Sequence, residues 1–306
     1  MLAYAMKRVL QGVPTVLLVC VLVFLLMHMV PGDPIRLMSD RTATPEDIER
    51  LRQSLGLDRP LYLQFWMWFT RAIRGDLGRS IRTGHQVTDE LMHRLPRTLL
   101  LTCTSLLFSV LVGIIAGVLA SLKAGSFWDV SIMVKAVFGM SVPPFWLGLM
   151  FILFFSVMLN WFPSGGSGTW RHLVLPALSL GLAGMGLIAR MTRSSMLEVL
   201  RDDYVRTARS KGLAERTVIY KHALKNAMIP TITVVGLQFG ILMAGAVITE
   251  RVFSWPGMGW LLVRSIHDRD FPVVQGALLI SSIIFILVNI AVDMVYALLD
   301  PRIRYQ

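Results

Sequence analysis

The sequence predicts an all-α membrane protein with six transmembrane helices and both termini in the cytosol, and three observations carry that prediction. Hydrophobic residues make up 55% of the 306 and charged residues only 16%, where a soluble domain carries about a quarter charged. Six apolar stretches, 9–30, 99–122, 131–159, 173–189, 227–248 and 273–299, meet the about 17–25 residues that cross a hydrocarbon core. Arginine and lysine gather between alternate stretches, which orients the chain because these residues resist translocation.

The first stretch follows Lys7 and Arg8 and so resembles a secretory signal. It runs on to Val30 without a small-residue cleavage site, so it is read as a retained helix. Pro31-Gly32-Asp33-Pro34 ends it and opens the largest outward segment, 31–97. A helix start is expected there at Thr44-Pro45-Glu46-Asp47, with a threonine cap, proline at the first helical position and acids in the first turn. Residues 62–73 hold Phe65, Trp66, Trp68 and Phe69, an aromatic group suited to the membrane–water boundary or to an external partner.

The second and fifth stretches carry Gly113-x-x-x-Gly117 and Gly236-x-x-x-Gly240, a spacing that lets helix backbones approach closely. Pro143-Pro144 interrupts the third stretch, so a kink is expected. The fourth is the shortest and glycine-rich. Its Gly184-Met185-Gly186-Leu187-Ile188-Ala189 fits a relaxed dinucleotide pattern, but that pattern needs a strand–turn–helix setting, and here it lies in an apolar helix.

With the N-terminus inside, the cytosolic pieces are 1–8, 123–130, 190–226 and 300–306, and every lysine falls on or beside that side. The loop 190–226 carries Arg190, Arg193, Arg201, Arg206, Arg209, Lys211, Arg216, Lys221 and Lys225 against Glu198, Asp202, Asp203 and Glu215. The formal net charge of +11 therefore belongs to membrane topology, not to nucleic acid, which calls for a basic stripe with interleaved aromatics on a soluble fold. Cys20 and Cys103 sit singly in apolar runs, and no zinc-ligand spacing or phosphate-cradling glycine loop is present. The loop reads as a helix over about 202–211, stopped by Gly212, and a second helix from about Ala214 that feeds the fifth span. A helix–glycine–helix unit of this kind is a rigid knob that can transmit a push. The whole chain divides into an N-terminus and first helix (1–30), the outward segment with short helices (31–97), and a five-helix core (98–306).

Asp203-Tyr204-Val205-Arg206-Thr207-Ala208-Arg209-Ser210-Lys211-Gly212-Leu213, followed by His222-Ala223-Leu224-Lys225-Asn226, resembles the EAA loop of ABC importer permeases. Ala208, Gly212 and Leu224 match that pattern in register. Arg206 and Thr207 replace its glutamate and first alanine, His222 its isoleucine, and Lys225 its proline. These departures are shared by the peptide/nickel branch, as are Gly75-Asp76-Leu77-Gly78, Phe253-Ser254-Trp255-Pro256-Gly257, Arg269-Asp270-Phe271-Pro272 and the ending Leu299-Asp300-Pro301-Arg302. The chain is similar over nearly its full length to the B-type permeases of dipeptide, oligopeptide or glutathione importers.

The resemblance implies a type I ABC importer permease fold in a bacterial inner membrane. It implies a second related permease, two ATPase subunits that hold the ATP and magnesium, and a periplasmic or lipid-anchored substrate-binding protein. This chain would then hold no cofactor and perform no covalent chemistry. The ATPase-coupling residues carried over are Tyr204, Arg206, Thr207, Ala208, Lys211, Gly212, Leu213, His222 and Asn226, with Ala208 and Gly212 in close packing against an ATPase. Membrane lipid is the other partner open to the basic side chains. Import of nickel or another metal chelate is the alternative within the family. Glu250, Asn289 and Asp293 are candidates for the pathway or a gate. Asn289 and Asp293 share one helix face, and Asp293 is better accounted for by Asn289 or a basic group at the cytosolic edge than by the pathway.

Overall fold

The computed structural model describes residues 2–29 and 58–299, with isolated positions between 44 and 56. Among the described residues the chain is helical: α1 (Leu2–Met29), α2 (Leu61–Ile73), α3 (Val87–Leu122), α4 (Phe127–Ser141), α5 (Pro144–Phe151), α6 (Arg171–Val199), α7 (Asp203–Ser210), α8 (Glu215–Thr217), α9 (Leu224–Val252), α10 (Met258–His267) and α11 (Phe271–Leu299). Two π-helical segments, Ile152–Met158 and Val218–Ala223, continue α5 and join α8 to α9. Among the described residues four helical runs are long and apolar enough to cross a membrane: Val87–Leu122, Arg171–Val199, Glu215–Val252 and Phe271–Val292. The pair Phe127–Ser141 and Pro144–Met158, bent by 101°, makes a fifth if the two helices count as one span. The break is therefore far sharper than a proline kink, because Pro143 and Pro144 fall together where α4 ends in the extended residue Val142. The first predicted span lies within α1, whose described apolar part is Leu10–Leu25. The segments 31–34 and 300–302 lie outside the described residues, and the helix start at 44–47 falls where only isolated positions are described.

The chain divides into two compact units, one of Arg97–Pro256 and Val288–Gln306, the other of Leu2–Pro96 and Gly257–Leu287. In the second unit, Cys20, Leu77, Val87, Leu91, Met258, Leu261, Val273 and Ala277 form the buried core. Three of the five α2 aromatics belong to it. Phe65, Trp68 and Phe69 pack on it, and Phe65 meets Phe24 edge-on at 5.4 Å, while Tyr62 and Trp66 stay exposed. The Gly75-Asp76-Leu77-Gly78 turn uses two left-handed glycines to drop Leu77 into this core, and Asp76 accepts from the Gly78 amide. Buried Asp270 anchors the following loop by accepting from the Ser80 hydroxyl and the amides of Ile81 and Arg82.

In the first unit, small residues bring helices into backbone contact. A Cβ on Gly186 would lie 2.2 Å from the Ala136 carbonyl of α4, and one on Gly117 would lie 2.6 Å from the Ala189 carbonyl of α6. The Gly113/Gly117 spacing is thus the seam between α3 and α6, with Gly113 against Ile188. The short fourth span, 173–189, is the first part of α6, which begins at Arg171 and runs ten residues past Ala189 to Val199. At the opposite end of this unit, Phe253 is buried beneath Gly148 and Gly165, its carbonyl accepts from the Gly166 amide, and Trp255 donates its indole N–H to the Arg97 carbonyl at 3.1 Å.

Candidate functional site: the helical hairpin at Gly212

The hairpin begins where α6 stops. Leu200 still closes an α-helical hydrogen bond to Met196, but Asp202 is extended, and its carbonyl receives the Val205 and Arg206 amides that start α7. Eight residues later the chain reverses. The Lys211 and Gly212 amides bond back to Thr207 and Arg209, and Leu213 reaches the Ala208 carbonyl at 3.4 Å. Gly212 adopts φ +74°, the left-handed conformation in which an L side chain meets its own backbone. A Cβ there would find nothing within 4 Å, so glycine is required by the dihedral and not by lack of room. A short α8 follows, then the π-helical turn, then α9.

Two apolar clusters seat the hairpin on the rest of its unit. Val205, Ala208 and Val218 form its own small core, with Val199 and Leu200 from the end of α6 packed against it. Val118, Met196, Ile219, Ala223 and Ala227 form the second, and Val199 and Leu200 touch this one too. The end of α6 is therefore shared between the hairpin and the bases of α3 and α9. Packed interiors of this kind move as bodies.

Of the residues that the resemblance singled out, Tyr204, Arg206, Thr207, Lys211, Gly212, Leu213 and Asn226 are exposed, and His222 is half-buried. Ala208 is buried inside the hairpin's own core at 7% exposure, so its small size serves packing within the chain. The Asn226 amide donates to the Tyr204 hydroxyl at 2.8 Å, which clips α7 to the start of α9. Two of the basic side chains are engaged within the loop. Arg206 meets Asp203 at 3.4 Å on an exposed face, whereas Arg209 makes a two-pronged contact to Glu215 at 2.8 and 3.2 Å across the Gly212 turn. Hydrogen bonding to Glu215 pushes the Arg209 guanidinium further above its ordinary range, so this group stays charged. Arg216, Thr217, Tyr220 and Lys221 line an open cleft of about 450 Å³ on the outer face of the second limb.

Sequence reading did not find Val199, Leu200, Val205 and Val218 as the hairpin's fasteners. Their signal was present: an apolar residue or pair in each limb amid otherwise polar neighbours.

Glu250 lies near the other end of α9. It is fully buried and accepts a 2.6 Å hydrogen bond from Thr98, so in this conformation its carboxylate faces α3 and not the outside. Asn289 is half-buried on α11; the side chain of Asp293 lies outside the described residues.

Residues 109–305 match the family model for the binding-protein-dependent transport system inner membrane component, and residues 1–102 match the N-terminal model of such membrane components. The glutathione transport system permease protein GsiC of Escherichia coli K12 is 48% identical over 306 residues, all of both chains. GsiC of Shigella boydii serotype 4 is 47% identical, again over the full length of both. Among solved structures, an inward-facing MetNI methionine ABC transporter chain aligns with a TM-score of 0.60 at 19% identity, covering 69% of this chain and 96% of that one. A chain of an amino acid ABC transporter aligns with a TM-score of 0.51 at 15% identity, covering 70% and 94%. At such identities the structural likeness speaks for the fold alone.

Proposed function

The chain belongs to the family of binding-protein-dependent transport system inner membrane components, and we propose that it is one permease of an ATP-driven importer of small peptides, glutathione among them. The full-length identity to glutathione permeases supports the substrate class. On this reading the chain spans a bacterial inner membrane six times with both termini in the cytosol. A second related permease completes the pathway, and a binding protein delivers substrate outside. Two partner ATPases hydrolyse the ATP, while this chain breaks no bond of the substrate.

The observation that carries the mechanism is the hairpin itself. Val205, Ala208 and Val218 point into its own core, and its exposed rim from Tyr204 through Thr207 to Lys211, Gly212 and Leu213 would be the face that meets an ATPase. Closure of the ATPase pair on ATP would displace α7. Because Val205, Ala208 and Val218 are packed on Val199 and Leu200, the displacement would reach α6 and the base of α9 as rigid-body motion.

The test is uptake into vesicles holding the reconstituted permease pair and ATPases, with binding protein and reduced glutathione outside and ATP within. ATP-dependent accumulation is expected. Uptake that persists without the ATPases and follows an ion gradient would refute the reading. Accumulation of a nickel chelate in place of peptide would retain the importer but overturn the substrate class.

A further inference from the structure

An ion pair outside the hairpin has no part in the account so far. Asp129 stands in the first turn of α4, where an acid is favourable beside the helix N-terminus and where Ser126 caps the Asp129 amide. Those local roles need neither burial nor a distant partner, yet Asp129 has both. Its side chain is 4% exposed, and both carboxylate oxygens are held by Arg193 of α6, Nε to Oδ1 at 2.6 Å and the terminal nitrogen to Oδ2 at 2.7 Å. The Gly125 amide adds a third hydrogen bond at 2.9 Å. A fork-to-fork contact fixes direction as well as distance, so it resists sliding and rotation between the two helices.

Its position gives that resistance a use. Arg193 lies six residues before Val199, where α6 meets the hairpin core. Elsewhere on the α4–α6 seam Gly186 lies on Ala136 and Met140, and Gly139 on Leu182. Among the described residues the side-chain hydrogen bonds that join the two helices are those of Arg193 to Asp129. On its other side α6 meets α3 at Gly117, whose Cβ position lies 3.0 Å from the Arg193 amide nitrogen. Arg193 is thus where α6 is held from two sides, just above the hairpin. Beyond α4 the chain bends by 101° into α5, so motion imposed on α4 is passed directly into the broken span.

We propose that Arg193 and Asp129 are positioning residues for transport: a strut that carries hairpin displacement from α6 into α4, and so into the α4–α5 break. This rests on the importer reading above. Apolar packing alone moves α6; the strut makes α4 follow.

The experiment uses the complete reconstituted importer with reduced glutathione as the probe, and reads substrate accumulated per ATP hydrolysed alongside the yield of assembled complex. The variants are Asp129→Asn, Arg193→Gln, Arg193→Lys, and the exchange Asp129→Arg with Arg193→Asp. The single variants are expected to assemble and hydrolyse ATP but to lose about tenfold in substrate per ATP, less than breaking a fully buried pair would cost because the Arg193 side chain is partly exposed. Arg193→Lys keeps the charge but not the fork, and should lie between wild type and Arg193→Gln. The exchange should recover coupling. Single variants that transport per ATP like wild type would overturn the strut. So would a loss that merely tracks a lower yield of complex, since that is the signature of a static staple. An inactive wild-type complex would overturn the importer reading and this proposal with it, whereas an active wild type beside fully coupled variants overturns the strut alone.

Discussion

Gly212→Ala isolates the dihedral on which the hairpin turns. Because nothing lies within 4 Å of a Cβ at this position, the substitution adds no clash and changes only the backbone preference at φ +74°. Holding an L residue in that region costs about 1–2 kcal/mol. Loss of glycine's freedom in the unfolded chain returns roughly 0.4–1 kcal/mol. The net is about 1 kcal/mol, or roughly a fivefold shift in the equilibrium between closed and opened turn. The amides that report it are Lys211, Gly212 and Leu213, which bond to Thr207, Arg209 and Ala208. Hydrogen exchange of the membrane-reconstituted chain should show these amides exchanging about fivefold faster in Gly212→Ala. The amides inside α6 should be unchanged. Gly212→Asn should fall closer to wild type, since asparagine tolerates the left-handed region. Equal protection in wild type and Gly212→Ala, or an asparagine variant no better than the alanine one, would refute the dihedral argument.

Gly186→Ala should lower the thermal unfolding temperature of the purified chain through a loss of about 1–3 kcal/mol, because its Cβ would sit 2.2 Å from the Ala136 carbonyl and α4 must back away from α6; an unchanged temperature would contradict that contact. Trp255→Phe keeps a buried ring but removes the donor to the Arg97 carbonyl, which stays within the α3 helix, so a cost of about 0.5–1.5 kcal/mol is expected in denaturant unfolding. A double-mutant cycle on Arg209 and Glu215 should give a coupling of only about 0.2–1 kcal/mol, since both side chains are substantially exposed; a larger value would mean that the pair is screened from water by something other than this chain.

The membrane character of the chain was legible in composition and run length, because hydrocarbon demands long apolar helices whatever their packing. The hairpin was legible too, since Gly212 between two polar helical stretches marks a left-handed stop that few other residues supply. The break at Pro143-Pro144 was legible as a place but not as an angle. Two prolines mark where donors are lost, whereas the 101° angle between α4 and α5 is read only from the fold. Hydropathy undercounted α6, because its last ten residues are held helical by tertiary contacts of Met196, Val199 and Leu200, and not by lipid.

By itself the sequence determined the all-helical membrane class, the place of the glycine turn and the family to which the chain belongs. These follow from local chemistry, from which residues hydrocarbon accepts, which dihedrals glycine permits and which motifs stand in order. Only the tertiary structure decided that Ala208 faces inward, that Glu250 is buried against Thr98, and that Asp129 is gripped by an arginine 64 residues away. Those outcomes depend on which helices meet and at what depth. No periodicity within one helix records that, because the partner surface lies elsewhere in the chain.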